Sequence, residues 1–236
     1  MKPELVGTVM LGGFAALDAT PVAQTLLSQP LVTATALGLL WGDLPTALGV
    51  GVVLQILAAS TSPLGSRTPE DYATGGVVGT GVALALGANA PYEYWRQSAM
   101  LIGAFAGMLT AVGGVPLIKW QRRRNEGLSR WCEQALRSGD EAALSRAHLA
   151  SVALAFGVGA AYCAAAMALL ILLTKGPVVS ESMRLARGWE LLQPLWLGFG
   201  FAQLLHAFVQ RRLTRAAVFG ASLIGAWLVL VMEWMR

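Results

Sequence analysis

Charge is scarce in this sequence. Asp, Glu, Lys and Arg make up 13% of its 236 residues, about half the ~25% of a soluble domain. So few charges cannot cover a water-facing surface, which excludes an ordinary soluble fold and points to lipid as the surrounding solvent. Cysteine is almost absent. Cys132 lies in a basic stretch and Cys163 in an apolar run; together they exclude a disulfide framework and a zinc spacing, and both are expected to be structural. Histidine is confined to His148 and His206, each near a span end, where an interfacial polar role is the expectation. There is no P-loop, no His-x-x-x-His pair and no carboxylate pair at metal spacing. No catalytic residue, metal site or cofactor is therefore assigned, and an enzyme acting by itself is not expected. The net charge of +4 sits in a few stretches between apolar runs, a membrane-topology pattern without the signature of a nucleic-acid binder.

What is abundant points the same way. Hydrophobic residues make up 56% of the chain, and 27 residues are glycine, which transmembrane helices tolerate and use for close packing. A spanning helix needs about 20 apolar residues. Residues 72–92, 98–118, 149–173, 188–210 and 216–232 meet or approach this, giving five spans. Lys2 followed by apolar residues 5–17 has the outline of a signal peptide, but its single lysine and the spans downstream mark it as part of the mature chain. The fold expected is all-α and polytopic, with broken or re-entrant helices in the N-terminal half and straight spanning helices in the C-terminal half. Residues 1–118 would hold the broken-helix transport region and the first full spans. Residues 119–148, with seven Lys/Arg and four Asp/Glu, would be a cytoplasmic basic amphipathic segment, and residues 149–236 the C-terminal transmembrane helices. Arg211, Arg212 and Arg215 fall on the same side as that segment by parity. Trp95, Trp120, Trp189, Trp196 and Trp234 are expected at span ends, as an aromatic belt. Gly75/Gly79 and Gly103/Gly107 are spaced for close helix packing.

The N-terminal third contains interruptions. Residues 30–57 are apolar except at Gly42-Asp43-Leu44-Pro45, where Gly42 tolerates unusual backbone angles, Asp43 suits a helix cap and Pro45 suits a first turn. Residues 31–41 would make a helix of about 16 Å, half a membrane. Asp18 and Pro21 repeat the device. Short, interrupted segments of this kind point to a transporter's binding site, although Asp18 and Asp43 could equally mark ordinary surface loops. Gln55 lies inside an apolar run, and Asp71 follows Pro69-Glu70 directly before a glycine-rich span. Polar groups within apolar runs face a bundle interior or a cavity. An amide that donates and accepts, paired with a carboxylate, suits an uncharged, hydroxyl-rich solute such as a sugar. The structural alternatives are a helix–helix hydrogen bond for Gln55 and a helix cap for Asp71.

In order, Leu17-Asp18, Gln29-Pro30-Leu31-Val32, Gly42-Asp43, Gly49-x-Gly51, Leu54-Gln55, Gly65, and Pro69-Glu70-Asp71 through Val77-Val78-Gly79-Thr80 resemble the IIC subunit of the mannose–fructose–sorbose family of the bacterial sugar phosphotransferase system. The resemblance implies a multi-pass permease subunit of the bacterial cytoplasmic (inner) membrane. It also implies a IID membrane partner, cytoplasmic IIA and IIB phosphocarrier subunits, a homo-oligomer of the IIC–IID pair, and a mobile core of broken helices. On this reading Asp18, Gln55 and Asp71 are expected near the sugar, and Gly42, Asp43, Pro45 and Pro69 are expected to shape helix breaks. Two other functions fit the residues themselves. One is an ion-coupled secondary transporter with Asp18 or Asp71 as proton carrier. The other is a non-transporting scaffold or sensor that holds phosphotransferase proteins through residues 119–148.

Overall fold

A computed structural model describes residues 3–19, 22, 25–59, 68–88, 90, 92–208 and 211–234. Lys2, Pro21 and Gly65, all used in the sequence reading, lie outside the described residues, as do the side chains of His206, Arg212, Arg215 and Trp234. The described residues form eight α-helices and no strand: α1 (Pro3–Ala19), α2 (Pro30–Trp41), α3 (Leu44–Ala59), α4 (Tyr72–Gly87), α5 (Glu93–Arg137), α6 (Ala143–Ser180), α7 (Ser182–Phe208) and α8 (Arg212–Trp234). The fold is the expected all-α one, with short helices first and long apolar helices after them.

The interruption at residues 42–45 is a hairpin tip. α2 has 12 residues and α3 has 16, about 18 and 24 Å at 1.5 Å per residue, against a hydrocarbon core of about 30 Å. Gly42 ends α2 in the left-handed region at φ 72, where a Cβ is disfavoured. Asp43 then caps α3, its carboxylate accepting from Thr46 N at 3.2 Å and Thr46 Oγ1 at 2.6 Å. Pro45 sits in the first turn, where its missing N–H leaves no bond unmade. The arms run antiparallel, with Gly38 against Leu44 and Ala47, and Gly51 against Ala34. Trp41 Nε1 donates to Thr8 Oγ1 at 3.0 Å and ties the tip to the start of α1. Both open ends of the hairpin therefore lie at the opposite end of the molecule, beside the end of α1 and the start of α4.

α4 is the axis of the core. All its residues except Tyr72 and Ala85 are buried, and it packs on α1, α2, α3, α5 and α6. Its crossing with α5 is the most extensive contact between helices among the described residues. A Cβ built on Gly79 would lie 2.6 Å from the Gly103 carbonyl oxygen, and one built on Gly75 would lie 2.7 Å from that of Gly107. The two glycine pairs noted in the sequence thus face each other backbone to backbone, which provides dispersion contact where apolar side chains gain little over lipid. α4 stops at Gly87, short of the apolar run over residues 72–92, and its length is about 24 Å. Central placement under other helices, not contact with lipid, accounts for its small, almost uniformly apolar residues.

α5 has 45 residues and runs unbroken through Pro116 into the basic stretch, so position 118 lies within a helix. Gly139 at φ 86 turns the chain, and α6 returns alongside. Here Cys132 is buried, and Trp131 stacks under the Arg146 guanidinium at 5.5 Å. The basic stretch is thereby the projecting end of a two-helix hairpin. The aromatic belt is only partly present. Trp120 is exposed, but Trp189 is 3% exposed and packs on α3 near Gly49. Its span starts tucked against the α2–α3 hairpin, which converts an expected interfacial ring into a core one. Among the described residues α8 packs only on α7 and exposes Leu213, Phe219, Ile224 and Trp227.

Candidate functional site

A cavity of about 610 Å³ opens at the basic end of the molecule, within the ~300–1,000 Å³ usual for small-molecule sites. The end of α1, the open end of the hairpin, the start of α4, and the facing stretches of α5 and α6 meet around it. Asp71 and Pro69 line it directly, with Ser28, Gln29, Glu70 and Tyr72 beside them. Across from these stand Gln121, Arg122 and Asn125 of α5 and His148 and Ser151 of α6.

Asp71 occupies the N-cap of α4, accepting from Thr74 N at 3.2 Å and Thr74 Oγ1 at 2.7 Å. Its own N–H donates to the Ala111 carbonyl of α5 at 2.9 Å. Tyr162 Oη donates to the neighbouring Thr110 carbonyl at 2.7 Å. These two carbonyls lie five and six residues before Pro116, next to the Val112 carbonyl that the proline, with no N–H, leaves without a helical partner. Asp71 is thus both a helix cap and a cavity wall. The two bonds to Thr74 leave part of its acceptor capacity, nominally about four lone pairs, for a ligand.

Gln55 and Asp18 stand one layer behind. Gln55 on α3 accepts from the Leu31 N–H at 3.2 Å and donates to Gln29 Oε1 at 2.8 Å. It satisfies an orphan donor at the start of α2 and fixes the Gln29 amide at the cavity rim. Asp18, 5% exposed in the last turn of α1, accepts from the backbone N–H and hydroxyl of Thr25 and from Ser28 N at 2.8 Å. Its carboxylate folds the connection between α1 and α2 and sets Ser28 at the rim. Neither Asp18 nor Gln55 is itself among the lining residues. Gly42, Asp43 and Pro45 lie at the hairpin tip, at the far end of the molecule. The structure therefore brings Asp71 and Pro69 to the cavity, places Asp18 and Gln55 behind Ser28 and Gln29, and separates Asp43 from all of them. Among the described residues no group of His, Cys, Asp and Glu could hold a metal.

Sequence reasoning did not single out Ser28, Gln121, Arg122 or Asn125. Gln121 and Asn125 are four apart and share a helix face, a spacing that a basic amphipathic segment hides among other polar residues. Gln29 was visible only as the residue before the helix-starting Pro30.

The family described as PTS system sorbose-specific iic component matches residues 5–232. No curated protein matches the chain. Two solved structures share the fold over essentially their whole length. One, described as a structure of a membrane protein, has a TM-score of 0.58 at 16% identity and covers 100% of this chain and 99% of that one. The other belongs to the cryo-EM structure of the mannose transporter ManYZ in complex with microcin E492, with a TM-score of 0.57 at 15% identity, covering 100% of this chain and 98% of that one.

Proposed function

Since this chain belongs to the family of PTS sorbose-specific IIC components, and is thus the membrane permease subunit of a mannose-family sugar transporter, we propose that the cavity at its basic end is where the sugar is held. The observation that carries this reading is the Asp71 carboxylate, which caps the buried axial helix and at the same time lines a cavity with room for a sugar. A carboxylate accepts from two hydroxyls, the Gln29 amide both donates and accepts, and Tyr72 offers a flat apolar face beside them. Asp18 and Gln55 act through Ser28 and Gln29, which they hold in place. Gly42, Asp43 and Pro45 keep the hairpin short enough to open on one side only.

The basic end faces the cytoplasm by the positive-inside rule, so the cavity is in its inward-open state, in the bacterial inner membrane. The sugar is phosphorylated there by a IIB subunit supplied with phosphate by IIA, and the chain works in the membrane beside a IID subunit, assembled as an oligomer of such pairs. The full-length likeness to a chain of the mannose transporter ManYZ supports that pairing. Of the two carriers an ion-coupled transporter could use, Asp18 is already taken up by Thr25 and Ser28, which leaves Asp71 for that role. Uptake of labelled mannose, fructose and sorbose by cells carrying the complete transporter tests the site. Asp71→Asn that inserts normally is expected to lose uptake, and wild-type uptake by that variant would remove the cavity from the transport path.

A further inference from the structure

The two walls of the cavity differ in chemistry. On the α1–α2–α4 side stand two carboxylates, Glu70 and Asp71, with Ser28 and Gln29; the α5–α6 side contributes no carboxylate among its lining residues. That side presents Gln121, Arg122 and Asn125 from one helix and His148 and Ser151 from the other. Arg122 is a permanent cation with five N–H donors. Its Nη1 donates to Thr68 Oγ1 at 3.3 Å, which steadies the guanidinium at the rim and leaves most of its donors for a ligand. Arg124, by contrast, lies over the Trp120 ring at 5.3 Å and is turned to a different task. Asn125 supplies a second, independent sign of a ligand: its Oδ1 is buried with no hydrogen-bond partner among the described residues. An orphaned amide end of this kind, at a cavity wall, calls for an outside group, and a hydroxyl satisfies it.

A ligand that meets a guanidinium, an imidazole and an orphaned amide acceptor together has an anionic group and a hydroxyl. We infer that Arg122 and His148 form a subsite for the phosphoryl group of the phosphorylated sugar, while Asn125 Oδ1 accepts from one of that sugar's hydroxyls. The inference rests on the reading of this cavity as the sugar site and adds a division of labour within it. The neutral sugar lies against the carboxylate wall, where Asp71 accepts its hydroxyls. Once it carries a phosphomonoester, the same carboxylates repel it, and the guanidinium opposite attracts it through charge-assisted bonds. Esterification thereby moves the ligand across the cavity, away from the axial helix and towards the basic opening. The shared chemistry, a phosphomonoester or phosphodiester facing a cation, also describes an anionic lipid headgroup, so the test separates the two.

The full chain in phosphatidylcholine nanodiscs is titrated calorimetrically with mannose, fructose and sorbose, then with their phosphate monoesters and with inorganic phosphate. Arg122→Gln and His148→Gln are expected to weaken ester binding by about tenfold and about fivefold and free-sugar binding by a clearly smaller factor, with Arg122→Lys recovering part of the ester affinity. Asp71→Asn is expected to show the reverse, with weaker free sugar and unchanged or tighter ester. Equal losses for both ligands in Arg122→Gln, or no loss in either, would overturn the inference, as would free-sugar binding by wild type with no ester binding. Loss of ester binding on adding phosphatidylglycerol, with no change in free-sugar binding, would assign the wall to lipid and overturn it as well. If wild type binds neither free sugar nor ester, the sugar-site reading fails together with it.

Discussion

Between α1–α4 and α6–α8 the helices differ in length, in side-chain size and in what covers them. The first group is short and rich in Gly and Ala; within it α4 is enclosed on nearly every side, and its glycines meet backbone on α5. The last group is long and apolar, and it exposes Leu172, Leu191, Leu213 and Phe219; a Cβ built on its glycines at 157, 198, 220 and 225 meets nothing within 4 Å among the described residues. Helix ends inside a membrane need partners for their orphan N–H and C=O groups. The first group supplies them from Asp43, Asp71 and Gln55, whereas the last has few ends to satisfy because its helices pass through. Polar side chains at depth therefore accumulate where helices stop, and the cavity forms at the same place.

The largest effect expected from this contrast is at the α4–α5 crossing. Gly79→Leu places side-chain atoms where the Gly103 carbonyl already lies and is expected to destabilise by ~3 kcal/mol or more, seen as loss of monodisperse protein on detergent size exclusion. Gly225→Leu on α8, with nothing within 4 Å, is expected to stay within ~0.5 kcal/mol, and an equal loss there would erase the distinction. Next comes the contrast between two caps. Asp71→Asn and Asp43→Asn both keep a capping oxygen, so both should melt near wild type. Only Asp71→Asn should lower uptake, by about tenfold or more, because only Asp71 lines the cavity. Gln55→Ala leaves the Leu31 N–H and the Gln29 amide without their partner, and a loss of ~1–3 kcal/mol is expected, measured as a lower melting temperature with weaker sugar uptake. Smallest is Gly42→Ala, where a Cβ at φ 72 costs ~1 kcal/mol, again read from the melting temperature, with uptake little changed.

Much of the N-terminal half could be read from local chemistry. Gly42-Asp43-Leu44-Pro45 carries its own stop, cap and start signals, and Asp71 announces a helix three residues before Thr74 supplies the capping N–H. These interactions span three or four residues, so pattern reasoning reaches them. The partners of Gln55 lie 24 and 26 residues away, and those of Asp18 lie across a connection whose path no periodicity describes. Which polar groups would face the cavity and which would stand behind it depended on those paths. The far wall escaped for a different reason. Arg122 and Asn125 lie beyond the apolar part of α5, in a stretch that reads as solvated, and only the return of α6 alongside encloses them. Trp189 was misplaced for a related reason, since proximity to a span end does not reveal which neighbour covers that end.

Because α2 and α3 enter and leave at one end, the hairpin adds nothing to the parity of the chain. Reporter enzymes inserted between α1 and α2 and between α3 and α4 would therefore sit in the same compartment. Counting residues 30–57 as one traverse would send those two reporters to opposite sides.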